Sequence, residues 1–293
     1  MFEQVLFPTD GSDGAAFAFD HVLDLAVRYD ATVHVLTVAD TTENGVLQIR
    51  GGDVDALEQE GNRIVREAAQ RAHHRGVDTV TEVRRGEPYR EIIDYAEAHG
   101  LELVVMPTHG RRGLERFLLG STTERVVRRA GVPVLTVRPD DDVEITHPYR
   151  NVLVPTDGTD CANQALAIGV DIAAVEDAAL HLLSVIAIAA LGPDARPDIQ
   201  WEILEERAQE LLDEAAAFTE EAGVELAARS VESSPSIHRA ILAYIEDHDI
   251  DLVVVGTHGR TGFDRYVLGS VTEYLVRTSP VPVLTVRAHG TVG

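Results

Sequence analysis

The stretch "DLVVVGTHGRTGFDRYVLGSVTEYLVRTSPVPVLTV", Asp251 to Val286, opens on an apolar β-branched run and passes through a glycine-bearing loop. A segment of helical period and a second β-branched run complete it, an order that reads as two parallel strands joined by a helix. Nearly the same stretch stands earlier as "ELVVMPTHGRRGLERFLLGSTTERVVRRAGVPVLTV", Glu102 to Val137. The repeat extends upstream, where "VLFPTDGSD" at Val5 to Asp13 returns as "VLVPTDGTD" at Val152 to Asp160, a shift of 147 positions; the glycine loops are shifted by 149. Preserved order marks a tandem duplication. The expected organisation is one domain over 1–139, an acidic linker over 140–148 within "PDDDVEITHP", and a second domain over 149–293.

Each copy alternates short β-branched runs with longer helical segments. The first gives strands at "QVLFPT", "TVHVLTV", "DTVTEVR", "ELVVMP" and "PVLTVR", and the second at "NVLVPT", "ALHLLSV", "VELAARSV", "DLVVVG" and "PVLTVR". Between them, Trp201 to Ala222 places Trp201, Leu204, Ala208, Leu211, Leu212, Ala215 and Phe218 at spacings of three and four, which predicts a helix with one buried stripe. Two α/β domains follow, each with a five-stranded parallel sheet and helices on both faces. In such sheets a ligand crevice opens at the carboxyl ends of strands, beside the point where strand order reverses. The loops after strands one and four sit on that edge.

Composition narrows the class. The 49 acidic residues face 25 basic ones, all Arg, for a net charge of −24. Such a surface repels phosphate backbones and anionic lipid, which argues against general nucleic-acid or membrane binding. It also suits molar salt, where screening relieves self-repulsion, and so predicts a halophilic protein. A GC-rich genome accounts for the missing Lys but not for the excess of acid. One cysteine, Cys161, allows no internal disulfide, and no spacing suggests a zinc site. The longest apolar run, "LLSVIAIAAL", is far shorter than a membrane span, and the opening "MFEQVLFPTD" does not resemble a signal peptide. A cytoplasmic location is the simpler expectation.

A strand end, glycines that permit close approach, and a helix start with unpaired N–H groups together form a phosphate site. Gly256, Gly259, Gly269 and Ser270 supply these parts in the second copy, with Arg260 and Arg265 as added charge. Gly110, Gly120 and Ser121 do so in the first, with Arg111, Arg112 and Arg116. A purely structural reading stands beside this one: "SVTE" and "STTE" fit the capping box, so Ser270 with Glu273 and Ser121 with Glu124 could simply start helices. His109 and His258 lie in these loops, but no nucleophile or paired carboxylate stands beside them, and no catalytic residue is assigned. A Walker A loop requires a lysine that the chain lacks, and "DGSDG" and "DGTDC" do not make the dinucleotide fingerprint.

The loop pattern G-x2-G-x9-G-[S/T], with "PTDG" closing the first strand and "VPVLTV" as the last, resembles the universal stress protein family over essentially the whole chain, twice. The resemblance implies a Rossmann-like fold of the adenine nucleotide alpha hydrolase type that binds ATP or a related adenine nucleotide, with Mg or Mn as the candidate metal. Carried over by position, Gly256, Gly259, Gly269, Ser270, Val271 and Thr272 would hold phosphates, Asp157 the adenosine or a divalent ion, and Val185 the adenine through its backbone. Asp10, Val38, Gly110, Gly120, Ser121, Thr122 and Thr123 match in the first copy. Family members usually assemble as dimers. A tandem chain could form that unit internally, often through its last strands, with a further homodimer left open.

The first copy departs from the pattern at Pro107, where the first loop glycine should stand. Proline has no N–H and a fixed φ, so the first site is either weakened or indifferent to the change, with the second copy the better preserved. Cys161 has two readings: a redox-sensing thiolate near a helix start, or a small buried filler. Three functions stay in play: a stress-related nucleotide-binding module, a slow nucleotide-hydrolysing or phosphate-transferring enzyme, and a structural or chaperone-like dimer without nucleotide.

Overall fold

The computed structural model describes residues 1–41, 54–110, 119–139, 145–188, 197–258 and 268–288. It divides into two units, Met1–His147 and Pro148–Gly293.

In the first unit the chain runs β1 (Gln4–Pro8), α1 (Asp13–Tyr29), β2 (Thr32–Asp40), α2 (Val54–His74), β3 (Thr79–Gly86), α3 (Pro88–Ala98), β4 (Leu103–Pro107), α4 (Ser121–Arg129) and β5 (Val134–Val137). The second repeats the plan as β6 (Asn151–Pro155), α5 (Asp160–Glu176), β7 (Ala179–Ala187), α6 (Pro197–Glu221), β8 (Leu226–Ser234), α7 (Ile237–Asp247), β9 (Leu252–Gly256), α8 (Ser270–Thr278) and β10 (Val283–Val286). All ten expected strands are present, each within a few residues of its expected bounds.

Strand order in the first unit is β3-β2-β1-β4-β5, and every registered pair is parallel. The second unit has the equivalent order, β8-β7-β6-β9-β10, also parallel. Because β1 pairs with both β2 and β4, the order reverses there. Right-handed crossovers then place α1 and α2 on one face and α3 and α4 on the other. The central strands are covered on both faces, which is why Val5, Leu6 and Phe7, or Val253, Val254 and Val255, run apolar without alternation and lie buried. The edge strands β3 and β8 mix half-buried and exposed positions.

The α6 stripe holds in its centre and shifts at its end. Ala208, Leu212 and Ala215 are buried, but Phe218 is 45% exposed, and Thr219 at 0% takes the inward position. Helical spacing permits either residue, since Ala215 is three from one and four from the other. Thr219 satisfies its hydroxyl inside the helix by donating to the Ala215 carbonyl at 2.9 Å, so the polar side chain enters the core without an orphaned group. Leu212 is fully buried. Leu212→Ala is expected to cost about 2–5 kcal/mol of stability, read by urea unfolding.

Candidate nucleotide site

Both units build the loop after the first strand in the same way. Thr9 Oγ1 accepts from Gly11 N–H at 3.1 Å, and Thr156 Oγ1 from Gly158 N–H at 3.2 Å. Asp10 Oδ1 accepts from Ser12 N–H at 3.0 Å, while Asp157 Oδ1 takes the Thr159 N–H at 3.1 Å and its hydroxyl at 2.7 Å. The turn forces Gly11 to φ 72° and Gly158 to φ 76°, which only glycine adopts cheaply. Ser12 and Thr159 then cap α1 and α5 by accepting from Ala15 and Ala162 N–H. The motif "PTDG-[ST]-D" is thus strand end, side-chain-bonded turn and helix cap in sequence.

The loop after the fourth strand ends at a helix start with no side-chain cap. Gly120 (φ −60°, ψ 136°) and Gly269 (φ −62°, ψ 140°) are the N-caps of α4 and α8. The capping-box reading is therefore corrected: Ser121 and Ser270 are the first helical residues, one position too late to cap. Their side chains are exposed. The first helical bonds run from Glu124 N–H to Gly120 O and from Glu273 N–H to Gly269 O, so the N–H groups of residues 121–123 and 270–272 precede the helical ladder. Positive dipole and forward-facing donors converge at the carboxyl edge of the sheet.

Other candidate residues occupy distinct places. Thr123 and Thr272 are buried, and their hydroxyls donate to the carbonyls of Pro107 (2.9 Å) and Gly256 (2.7 Å), tying each helix back to its strand end. Thr122 and Val271 are half-buried at the second helical position. Val38 and Val185 are half-buried near the carboxyl ends of β2 and β7. The two loops of the first unit approach closely, because a Cβ on Gly110 would overlap the Asp10 carboxylate. Gly259 lies outside the described residues, as do Arg111, Arg112, Arg116, Arg260 and Arg265. His109 Nδ1 lies 3.1 Å from Thr108 Oγ1, and burial, aided by the nearby Arg138, holds its pKa below the ordinary value.

Sequence reasoning left two features out. Tyr89, buried at the start of α3, carries the guanidinium groups of Arg90, Arg125 and Arg129 over its ring at 5.7, 5.0 and 5.1 Å. The second unit instead stacks His238 on Tyr274 at 3.8 Å. The other is the packing behind the loop entry. A Cβ on Gly256 would fall 2.8 Å from Cys161 Cβ, 2.9 Å from its carbonyl carbon and 3.1 Å from Ala162 N. The signal was available as a difference between copies: where Pro107 replaces the glycine, Gly14 stands in the place of Cys161.

Strand order and loop geometry define a tandem, doubly wound α/β protein with the same two loops at the switch point of each unit. The model of the universal stress protein family matches residues 1–138 and again 148–287, and the chain belongs to that family. A universal stress protein of Mycolicibacterium smegmatis is 31% identical over 276 residues, covering 91% of this chain and 85% of its own. One from Methanocaldococcus jannaschii is 36% identical over 141 residues, covering 47% of this chain and 83% of its own. Among solved structures, a universal stress protein from Archaeoglobus fulgidus matches 99% of this chain and 100% of its own at a TM-score of 0.74 and 24% identity, which supports the fold. No described helix is long and apolar enough to cross a membrane.

Proposed function

We propose that the chain is a regulatory module that holds ATP or a related adenine nucleotide at the carboxyl edge of each sheet and presents the bound state to partners under stress. The observation that carries this reading is the duplicated pairing of an aspartate-bonded turn with an uncapped helix start at the strand-order reversal. Phosphates would lie on the N–H groups that open α4 and α8, with the Ser121 and Ser270 hydroxyls beside them. Asp10 and Asp157 would meet the adenosine or a divalent ion. The Asp10 and Asp157 carboxylates at these strand ends are hard oxygen donors of the kind Mg or Mn takes, and the missing Cβ of Gly110 lets the second loop come up against the Asp10 carboxylate, so a divalent ion would be held by one carboxylate together with nucleotide phosphates.

Calorimetric titration with ATP and Mg²⁺ tests the reading. Saturable binding is expected, weakened at the second site by Asp157→Ala. Absence of heat and of any ATP-dependent rise in the unfolding midpoint would sink it and favour the structural dimer. Steady phosphate release in the same mixture, abolished by Asp157→Ala, would move the chain to the slow-enzyme class.

A further inference from the structure

We infer that Gly14, Pro107 and Pro139 in the first unit and Cys161, Gly256 and Ala288 in the second are alternative fillings of one packing triad. Pro107 accordingly leaves the first loop as competent for nucleotide as the second; this conclusion rests on the nucleotide reading above.

The glycine at 256 does not serve an unusual backbone conformation, for it is absent from the positive-φ residues of the described chain. What demands it is the first turn of α5, which leaves no room for a Cβ between strand and helix. The first unit relieves that pressure from the opposite side. Its helix carries Gly14, where a Cβ would fall 2.9 Å from His109 O and 3.1 Å from Pro139 Cγ, so the His109 carbonyl and the Pro139 ring occupy the space that a side chain at this helix position would need, and Pro107 stands at the strand position of Gly256 opposite a helix residue without a Cβ. The third member changes in step. Cys161 Sγ accepts the Ala288 N–H at 3.4 Å, and the first unit lacks both partners, since Pro139 has no N–H and Gly14 no sulfur. Removing donor and acceptor together leaves nothing unsatisfied.

The loop frame is unaffected by the exchange. Val104 N–H donates to Pro133 O, just before β5, and Thr108 N–H to Val137 O, so the intervening odd positions face β1, which registers only with Leu103 and Val104. Proline at 107 therefore costs the sheet no hydrogen bond. Beyond it, Thr108 N–H reaches Val137 O at 2.8 Å and Gly120 N–H reaches Thr108 O at 2.7 Å. The second unit has 2.8 Å for both the Thr257–Val286 and Gly269–Thr257 bonds. With N-cap angles matching to within a few degrees, the same N–H groups are presented in both units.

Two measurements decide the matter. Gly256→Pro alone is expected to lower the thermal midpoint by about 5 °C or more, and adding Cys161→Gly and Ala288→Pro should recover most of the loss. A triple variant no more stable than the single one overturns the triad. Calorimetry with ATP and Mg²⁺ should give two nucleotides per chain for both the native protein and Pro107→Gly, with first-site affinities within about threefold. One nucleotide on the native chain and two on Pro107→Gly would show that the proline closes the site; the inference then fails while nucleotide binding stands. No nucleotide on either protein overturns the functional reading and the loop's competence with it, and the rescue experiment still judges the packing alone.

Discussion

Ser270→Glu is expected to weaken nucleotide binding at the second site by about a hundredfold or more while leaving α8 at least as stable as before. Ser270 is exposed at the first helical position. A carboxylate there lies at the positive end of the helix dipole, which favours it by about 0.3–1 kcal/mol. The same charge within ~4 Å of a bound phosphate is repelled by about 4 kcal/mol at an effective dielectric of 20, some thousandfold before salt screening. Stability and affinity therefore move in opposite directions. A misfolded variant loses both, and a helix start that touches no ligand loses neither. Ser270→Ala is the matched control, removing one hydroxyl and no backbone donor, and should cost only a few fold. Affinity unchanged in a stable Ser270→Glu protein would remove α8 from the phosphate site.

Acidification from pH 7.5 to 5.5 is expected to destabilise both units through a second duplicated device. His34 sits in the core with Nδ1 2.9 Å from Tyr95 OH and Nε2 2.9 Å from Gln4 Oε1. His181 repeats this with Tyr244 OH at 3.2 Å and Asn151 Oδ1 at 3.4 Å. A neutral imidazole can accept from the phenol and donate to the amide; the protonated ring has two donors and meets a phenol that must turn away. A further histidine stacks on each tyrosine, His99 at 4.0 Å and His248 at 3.8 Å from its ring centre. Burial is the main cause that holds both pKa values below 6.5, with the charge of His99 or His248 adding to it and Glu82 opposing it at His34. Arg84 lies over the Tyr95 ring at 4.7 Å and adds a further positive charge to that cluster.

These depressed values fix the sign. The unfolded chain takes up protons near pH 6.5 while the folded chain resists, so stability is full above that value and falls as pH drops through it. Each such histidine contributes up to ~1.4 kcal/mol per pH unit in the window. Relief of the −24 net charge works the other way, because protonation of surface acids reduces self-repulsion. A fall in urea midpoint between pH 7.5 and 5.5, flattened in His34→Gln/His181→Gln, therefore reports the buried rings. The same pH dependence in the native protein and in His34→Gln/His181→Gln would mean that the rings take protons without strain.

Sequence alone determined the duplication, the ten strands and the placing of both loops at one sheet edge. Those features live in short windows: β-branched runs, a turn glycine after aspartate, and a landmark order that returns intact. Periodicity could not choose between Phe218 and Thr219, since both fit the helical spacing and the choice depends on what α6 packs against. Nor could a motif tell a capping serine from one at the first helical position, because a shift of one residue changes the hydroxyl's role without changing the pattern. The tertiary structure alone decided why Gly256 is a glycine. Its demand comes from Cys161 and Ala162, nearly a hundred residues earlier, and the steric fit between two such distant segments is fixed only when strand and helix meet.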